Sequence, residues 1–280
     1  MKKILITGAT GFLALHILKR LNVNDSYVCG LVKSGSNSEN FKNYQIIYDN
    51  VDDLIKHEKE FHIIFHCASY IPYQKENKPC TDLIIANIQL TTTLALNYDR
   101  ARFIYASSVS VYGQPIHLPL KISSPFNNPN LYGLSKLASE SIVRNLRSYA
   151  IIRFTSLIGL GMKDVSFIPK VINRAKEFGE ITLIGDGERL QDYIDVRDAA
   201  RLCTIMADLS QNEIILGVSG NALTNYDILK AISEITGIII NQRGNDNSSS
   251  FFYDVGNTFR NIGFIPNHPI LETIKEMVEL

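Results

Sequence analysis

The sequence predicts an α/β protein with a Rossmann-type doubly wound parallel sheet and a smaller mixed α/β lobe toward the C-terminus. The first half alternates short apolar runs with longer helical patterns, an order typical of parallel strands joined by crossover helices. The runs KKILIT, FHIIFHCA and RFIYASS are almost continuously apolar, as is typical of strands buried on both faces of a sheet. After residue 155 the alternation becomes irregular, which indicates a second lobe.

The predicted elements follow in chain order. Strands are expected at residues 3–7, 27–32, 45–48, 63–67, 102–107 and 150–154, with helices ending at residue 21, near residues 87–96 and at residues 132–146. In the second half, FIPKVINRAKEFG and TNYDILKAISEITG are typical of helices, the latter capped by Thr224 or Asn225, and ITLIGDG is typical of a strand and turn. Loops that cover a site are expected at residues 114–130 and 241–250.

These elements divide into a first domain at residues 1–155 and a smaller lobe at residues 156–280, with some segments of the lobe returning to the first domain. Lys+Arg and Asp+Glu both total 28, so no net field favours nucleic acid or a membrane as a partner. The cysteines, including Cys80, form no C-x-x-C pair, and no apolar run is long enough to span a bilayer. We expect a cytoplasmic protein.

Two groups of polar residues raise other chemistries. His62 and His66 are four residues apart, but they fall on a predicted strand and no acidic or thiolate cluster completes a site, so we expect no metal. Asp192, Asp195 and Asp198 could indicate hydrolysis by paired carboxylates. We expect them instead to end a strand and begin the next helix, where negative charge is favourable.

A glycine turn follows the first predicted strand. ILITGATGFLALHIL places Gly8, Gly11 and Ala14 at G-x-x-G-x-x-A spacing between a strand and a helix. Gly8 allows a tight turn, Gly11 the close approach of phosphate, and Ala14 close contact between helix and strand. The amides that begin the helix then bind a pyrophosphate. The turn predicts dinucleotide binding, and the alternative is an ordinary strand–helix turn.

The end of the second strand bears on which dinucleotide binds. An acidic residue there would bind the ribose hydroxyls of NAD, but YVCGLVKSGSNS ends with Lys33 and Ser34. A cation and hydroxyls suit the 2′-phosphate of NADP, so the sequence favours NADP over NAD. The alternative is that Lys33 is a solvated loop lysine.

A serine, a tyrosine and a lysine form the predicted catalytic set. Tyr132 and Lys136 are four residues apart in NLYGLSKLASE, so on a helix both side chains project from one face. A neighbouring ammonium favours the phenolate and lowers the pKa of a tyrosine, which can then act as acid or base. Ser108 ends the strand RFIYASS at the carboxyl edge of the sheet, where its hydroxyl can bind the same substrate oxygen.

These motifs resemble the extended short-chain dehydrogenase/reductase family, in its NAD-dependent epimerase/dehydratase branch, whose members modify nucleotide sugars. TGATGFLA, FHCAS, SSVSVYG and YGLSK carry the resemblance, which runs through the whole chain. It implies catalysis by Ser108, Tyr132 and Lys136. Together with Lys33, it implies a cofactor site formed by Gly8, Thr10, Gly11, Phe12, Leu13, Asp49, Asn50, Cys67, Ala68, Asn87, Tyr132, Lys136 and Phe154.

The second lobe carries the motifs that resemble the family's substrate contacts. LIGDGERLQDYIDVRDAA and RNIGFIP carry this part of the resemblance. Gln191 stands where the family has a phosphate-binding arginine, for which Arg189 can substitute, and Ser156 replaces an asparagine. Ile158 replaces a tyrosine, whereas Arg243 still resembles the family's second diphosphate-binding arginine. The implied substrate-binding residues are Ser108, Ser156, Arg189, Gln191 and Arg243.

The function that follows is an NAD(P)-dependent oxidoreductase for a nucleoside-diphosphate sugar, first of all a keto-sugar reductase. Val109 and Ser110 stand where the family's dehydratases have Asp-Glu, so we expect no dehydration. One alternative is an epimerase with tightly bound NAD, which uses the same three catalytic residues. Another is a dinucleotide-binding sensor without catalysis. The resemblance also implies a homodimer.

Overall fold

A central sheet of seven parallel strands organises the first part of the protein. The computed structural model describes residues 1–36, 44–72 and 81–279. Cys80, and Asn37 and Ser38 at the end of YVCGLVKSGSNS, lie outside these residues. The strand order is β11-β6-β5-β4-β1-β2-β3, with strands β1 (Lys2–Thr7), β2 (Ser26–Leu31), β3 (Ile46–Tyr48), β4 (Ile63–His66), β5 (Arg102–Ser108), β6 (Tyr149–Phe154) and β11 (Glu213–Gly217).

This order confirms the predicted fold class. The chain runs outward from β1 to β3 and then returns through β4 to the other side, so the direction of winding reverses between β1 and β4. The strands are apolar because both faces are covered: Leu5, Ile64, Phe103 and Ile151 are fully buried in one core cluster. The carboxyl ends of all seven strands therefore form one edge of the sheet, where ligands bind in open α/β folds.

The helices that flank these strands are α1 (Phe12–Leu18), α2 (Val51–His57), α3 (Thr81–Leu83), α4 (Leu90–Asn97), α5 (Leu131–Val143) and α7 (Val196–Asp208). A π-helical segment, Ile84–Gln89, joins α3 to α4, where the sequence analysis expected one regular helix. Such insertions are common at functional sites, and this one contains Asn87. The remaining predicted boundaries in this half agree to within a few residues.

The contacts within the chain divide it into two compact units. The first comprises Met1–Gly113, Pro125–Phe154 and Ala199–Gly217, and the second comprises Gln114–Ser124, Thr155–Asp198 and Val218–Leu280. The last segment of the first unit carries β11, which pairs with β6 and completes the sheet. The first unit is therefore assembled from three separate stretches of sequence.

The second unit is built from helices and short two-stranded pairings. Its helices are α6 (Phe167–Phe178), α8 (Asn225–Thr236), α9 (Thr258–Asn261) and α10 (Ile270–Glu279), and its strands are β7 (Ser156–Ile158), β8 (Glu180–Ile184), β9 (Leu190–Gln191), β10 (Tyr193–Asp195), β12 (Leu223–Thr224) and β13 (Ile239–Arg243). β7 pairs with β10, β8 with β13, and β9 with β12. Ile158, Leu183, Ile228 and Ile274 belong to its separate core.

Two details of this unit bear on the sequence analysis. Thr224 is the N-cap of α8 in a full capping box with Asp227, which resolves the choice between Thr224 and Asn225. The loop expected at residues 241–250 is partly wrong, because β13 continues to Arg243 as the parallel partner of β8. Among the described residues, no helix is long and apolar enough to cross a membrane.

Candidate functional site

The glycine turn has the geometry that its spacing predicts. Gly8 has a φ of +62°, and a Cβ there would lie 2.9 Å from the backbone N and Cα of Ala68. The amide of Gly11 donates to the carbonyl oxygen of Gly8 at 2.7 Å, and Gly11 is the N-cap of α1. No acidic residue lies in the first turn of α1, and Ala14 is fully buried. The turn therefore leads into the amides that begin α1. Because the first turn of this helix has no acidic residue, no carboxylate there would repel a phosphate.

A chain of buried hydrogen bonds links this turn to neighbouring elements. Thr7 Oγ1 lies 2.7 Å from His66 Nδ1, and His66 Nε2 lies 2.8 Å from Thr91 Oγ1, which donates to the carbonyl oxygen of Asn87. The amide of Ala68 donates to Thr7 Oγ1. These bonds are all satisfied when His66 carries its proton on Nε2. Burial lowers the pKa of His66 to about 3, so the imidazole is neutral.

Asn87 connects three parts of the predicted cofactor site. Its Oδ1 accepts hydrogen bonds from the amide of Tyr70 at 2.7 Å and from Ser69 Oγ at 3.2 Å. Its Nδ2 donates to the carbonyl oxygen of Tyr70 and to Ser135 Oγ at 2.9 Å. Asn87 therefore holds the loop after β4, which begins with Cys67, against α5. Both the oxygen and the nitrogen of its side-chain amide bind other groups of the protein.

The predicted adenine and ribose contacts lie after β2 and β3. Lys33 is exposed, and its carbonyl oxygen accepts from the amide of Ser36 at 3.1 Å. Asp49 is exposed, and Asn50 is the N-cap of α2, with Oδ1 accepting from the amide of Asp52 at 2.8 Å. The sequence analysis missed this capping role of Asn50, although an asparagine before an acidic turn is typical of a helix start.

Tyr44 is a residue near the glycine turn that the sequence analysis did not select. It is buried, and its hydroxyl donates to the carbonyl oxygen of Ala9 at 2.9 Å. A Cβ at Gly30 would lie 3.0 Å from the Cβ of Ala9, so β2 also packs closely against the turn. The turn is therefore held from two sides.

Ser108 is held in a short turn at the end of β5. Its Oγ accepts from the amide of Ser110 at 3.1 Å and lies 3.1 Å from Ser110 Oγ, where it caps the 3-10 turn Val109–Tyr112. Its register partner on β6 is Phe154, which is buried and packs where Gly217 of β11 has no side chain. The structure places Ser108 and Phe154 together at the carboxyl edge of the sheet.

Helix α5 carries Tyr132 and Lys136 as predicted. Asn130 caps the helix through the amide of Gly133 at 2.8 Å. A Cβ at Gly133 would lie 2.3 Å from the carbonyl oxygen of Ser110, so only glycine allows the helix to approach the serine turn this closely. Lys136 Nζ lies 5.8 Å from the centroid of the Tyr132 ring. The tyrosine, the lysine and the serine turn are thus brought to one region of the first unit.

The environment of Lys136 controls its charge. The side chain is 2% exposed, Nζ donates to the carbonyl oxygen of Ala106 at 2.8 Å, and it lies 4.9 Å from the centroid of the Tyr105 ring. Burial lowers the pKa of Lys136 to about 8, against opposing effects of Cys67 and Glu140. The ammonium still predominates at neutral pH. Burial also raises the pKa of Cys67 to about 12, so this thiol is neutral.

In the second unit, Arg189 and Gln191 lie in direct contact. With its amide oxygen toward Arg189, Gln191 accepts from Nη1 at 2.6 Å and Nη2 at 3.0 Å, and its nitrogen donates to the Tyr193 hydroxyl at 3.1 Å. Arg189 Nε donates to the carbonyl oxygen of Ser249 at 2.9 Å. Ser156 is exposed and is the register partner of Tyr193. These bonds orient the Arg189 guanidinium beside Gln191.

Arg243 lies on a different element, at the end of β13. It is exposed, its register partner is Ile184, and its carbonyl oxygen accepts from the amide of Gly185 at 3.0 Å. Near Arg189, hydrogen bonds from Ser248, assisted by the charge of Arg189, hold the pKa of Asp246 below its usual value. The structure therefore joins Arg189 to Gln191 and shows Arg243 on a separate exposed strand end.

Of the acidic residues Asp192, Asp195 and Asp198, the last two have the expected roles at a strand end and a helix start, whereas Asp192 lies between β9 and β10 and binds a loop instead. Asp192 accepts from the amides of Ser219 and Gly220 at 2.9 Å. Asp195 ends β10 and forms an ion pair with Arg197 at 2.7 Å. Asp198 lies in the first turn of α7 and accepts from the amides of Asn267 and His268. Within the described ranges, no group of three or more histidine, cysteine or acidic residues could hold a metal ion.

Known proteins resemble this chain over nearly its whole length. A Methanocaldococcus jannaschii protein, provisionally named a UDP-glucose 4-epimerase, is 27% identical over 98% of this chain and 97% of its own. The UDP-N-acetylglucosamine 4-epimerase of Methanobrevibacter ruminantium superposes with a TM-score of 0.86 at 23% identity, covering 99% and 97% of the two chains. The UDP-glucuronic acid 4-epimerase of Bacillus cereus, solved with UDP-glucuronic acid and NAD, gives 0.85 at 20% identity, covering 99% and 98%.

The family described as the NAD dependent epimerase/dehydratase family matches residues 4–216, which span β1 to β11 and include the whole first-unit site. The glycine turn, the serine turn and the Tyr132–Lys136 pair all lie within the matched residues. The chain therefore belongs to the NAD dependent epimerase/dehydratase family, and it is an NAD(P)-dependent enzyme of that family's nucleotide-sugar-modifying branch.

Proposed function

We propose that this enzyme is a nucleoside-diphosphate-sugar epimerase that retains NAD and inverts one carbinol carbon of the sugar. By analogy with its 4-epimerase relatives, that carbon is C4. The observation that carries the proposal is the Tyr132–Lys136 pair on α5, beside the turn that bears Ser108. These groups suit proton transfer at a carbinol oxygen. The 4-epimerases among its relatives favour this function over the keto-sugar reductase that the sequence analysis placed first.

The residues of the first unit fit a dinucleotide. The glycine turn admits no Cβ at Gly8, because the backbone of Ala68 would lie 2.9 Å from it, and the amides of the turn begin α1 with no acidic residue in the first helical turn. Phe154 is the last residue of β6, and Cys67 directly follows β4. Both therefore lie at the carboxyl edge of the sheet, where the nicotinamide would lie. NAD held by these residues would supply the redox chemistry, as a reversible acceptor for the hydride of the sugar carbon.

The chain's own residues handle the proton. The Tyr132 phenolate accepts the proton of the sugar hydroxyl, while the Lys136 ammonium stabilises the negative charge on the phenolate. Ser108 orients the same oxygen through a hydrogen bond. When the carbonyl is reduced again, the Tyr132 phenol returns its proton to that oxygen, so the enzyme ends each cycle in its starting protonation state.

Two neighbouring reactions of the family are less well supported. Dehydration requires an acid and a base at the positions of Val109 and Ser110, and neither side chain can serve. Net reduction requires the dinucleotide to exchange in every cycle. The preference for NADP, inferred from Lys33, stays a prediction, and NAD is the cofactor that we propose.

On the substrate side, we propose that Arg189 and Arg243 bind the diphosphate, with Gln191 and Ser156 contributing hydrogen bonds. Gln191 holds the Arg189 guanidinium, so it can contribute without carrying a charge.

The active form that we propose is a homodimer. It is supported by exposed apolar side chains on α5 and on the stretch from the π-helical segment to α4, namely Ile84, Ile85, Leu96, Leu131 and Leu134.

The test begins with the purified protein. We expect denaturation to release about one equivalent of NAD, and the native enzyme to interconvert UDP-glucose and UDP-galactose, or the corresponding N-acetylated or uronic acid pair, without added dinucleotide. Added NADPH that is consumed by a nucleotide keto-sugar would establish the reductase instead. Dinucleotide binding without any turnover would support a sensor, and protein that binds neither NAD nor NADP would refute the proposal.

A further inference from the structure

The direction of the Ser108 hydroxyl depends on the segment that carries it. Ser108 is the last residue of β5 and the cap of the turn Val109–Tyr112, which ends at Gly113 with a φ of +66°. Ser108 Oγ accepts a hydrogen bond from the amide of Ser110, so the position of the hydroxyl follows the backbone of this turn. Ser107 precedes Ser108 on β5, and Tyr112 is the last residue of the turn.

A buried ion pair lies beneath the serine segment. Arg153 of β6 binds Glu140 of α5 in a bidentate arrangement, with Nε to Oε1 at 3.0 Å and Nη2 to Oε2 at 2.8 Å. The side chains are only 6% and 4% exposed. Removing both charges from water is costly, and such a pair persists where its geometry and further hydrogen bonds compensate. This pair has both the bidentate geometry and the further hydrogen bonds, to Ser107 and Tyr112.

The same pair holds both ends of the segment that contains Ser108. Ser107 Oγ donates to Glu140 Oε1 at 2.6 Å. Arg153 Nη1 donates to the Tyr112 hydroxyl at 2.9 Å, and the guanidinium carbon lies 5.1 Å from the centroid of the Tyr112 ring. One buried contact therefore fixes the residue before Ser108 and the last residue of the turn after it.

The pair also belongs to the helix that carries the proposed acid–base residue. Glu140 lies one turn after Lys136 on α5, and Gly133 of the same helix packs against the carbonyl oxygen of Ser110. The bond between Glu140 and Ser107 therefore ties α5 directly to β5. Through these two contacts, the serine turn is held against α5, the helix that carries Tyr132.

We infer that Glu140 and Arg153 are positioning residues that, through Ser107 and Tyr112, hold the Ser108 hydroxyl in register with Tyr132. This inference rests on the proposed function and deepens it by naming what orients the serine. Both charged side chains act through other protein groups. A geometrical error of about 1 Å at a reacting oxygen can cost on the order of 100-fold in rate, so this alignment affects turnover.

The test removes each end of the contact and leaves the ion pair in place. We expect Ser107→Ala and Tyr112→Phe each to lower kcat about tenfold with KM and retained NAD within twofold of wild type. Ser107→Thr keeps the hydroxyl, so it should restore kcat to within about threefold. Tyr98→Phe is the matched control, because Tyr98 is buried and donates to the carbonyl oxygen of Glu58 at 3.0 Å.

Equal losses of kcat in Tyr98→Phe and Tyr112→Phe would overturn the inference, as would a kcat within twofold of wild type in both end variants. If the wild-type enzyme turns over no nucleotide sugar, the proposed function fails, and hydrogen exchange then tests the inference separately. The amides of Ser110 and Gly113 should exchange faster in Ser107→Ala and Tyr112→Phe than in Tyr98→Phe. Unchanged exchange would refute the positioning role.

Discussion

The two units support their predicted site residues in different ways. In the first unit, Ser108 lies at the end of a buried strand, and Tyr132 and Lys136 lie on a helix packed against the sheet. Ser108 accepts a hydrogen bond from the amide of Ser110, and Lys136 donates one to the carbonyl oxygen of Ala106. In the second, Arg189 is half-buried beside the two-residue strand β9, and Arg243 is exposed at the end of β13. Rigid supports favour chemistry that needs fixed geometry, whereas variable surface segments favour selection of a ligand. We therefore expect changes in the first unit to affect turnover and cofactor retention, and changes in the second to affect KM.

The largest expected effect is that of Tyr132→Phe. Removal of the hydroxyl removes the proton acceptor and donor, which should lower kcat about 100- to 10,000-fold while the protein still retains its dinucleotide. Initial rates of sugar interconversion and the NAD content of the purified variant check this. A kcat within tenfold of wild type would show that another group transfers the proton.

Gly8→Ala should act on the cofactor rather than on the proton transfer. The added Cβ meets the backbone of Ala68 at 2.9 Å, so the turn must shift, and the loss of phosphate hydrogen bonds should weaken dinucleotide binding on the order of 100-fold. Calorimetric titration of the dinucleotide-free protein measures the change. Gly179→Ala is the control, because Gly179 has a φ of +67° and nothing within 4 Å of the added Cβ. Equal weakening in both variants would mean that backbone strain alone is responsible.

His66 should make stability of the first unit sensitive to acid. Its folded pKa of about 3 lies below the unfolded value of 6.5, so its contribution is present above pH 6.5 and is lost as the pH falls from there toward 3. Between pH 7 and pH 5, wild type should lose about 2 kcal/mol of unfolding free energy that His66→Asn does not lose. Urea denaturation at both pH values measures this. His57→Asn, at an exposed histidine, should retain the wild-type loss, and an equal loss in His66→Asn would contradict the prediction.

The smallest effect tests the second unit. Arg189→Ala should raise KM for the nucleotide sugar about tenfold with kcat within twofold, because a lost charged hydrogen bond to phosphate weakens ground-state and transition-state binding alike. Steady-state kinetics separate the two constants. Arg174→Ala, at an exposed arginine of α6 that lies over the Phe178 ring, should leave both unchanged. A fall in kcat alone for Arg189→Ala would contradict the expectation that changes in the second unit affect KM and not turnover.

The sequence predicted the parts of the site that depend on local pattern. The glycine turn, the end of β5 and the Tyr132–Lys136 spacing are each contained within a few residues, and strand–helix alternation is enough to bring such motifs to one edge of a parallel sheet. The strands of the second unit were harder to predict from the sequence, because strands of two residues such as β9 and β12 are too short to show an alternating pattern.

The sequence could not predict the partners that hold the site residues. Glu140 and Arg153 are 13 residues apart, and only the pairing of β5 with β6 and the packing of α5 bring them together. A weak signal existed, since an arginine inside the apolar strand YAIIRF requires a buried partner. The His66 bonds were missed for the same reason, because Thr7 and Thr91 lie far from it in sequence.

The division of the first unit into three stretches has a consequence for the growing chain on the ribosome. β6 is completed at Phe154, but its outer neighbour β11 begins only at Glu213. During synthesis of the intervening residues, one side of an apolar strand stays without its hydrogen-bonding partner, an open edge on which nascent chains can associate. We expect chaperones to bind ribosome-stalled chains that stop before β11 more strongly than chains that include it.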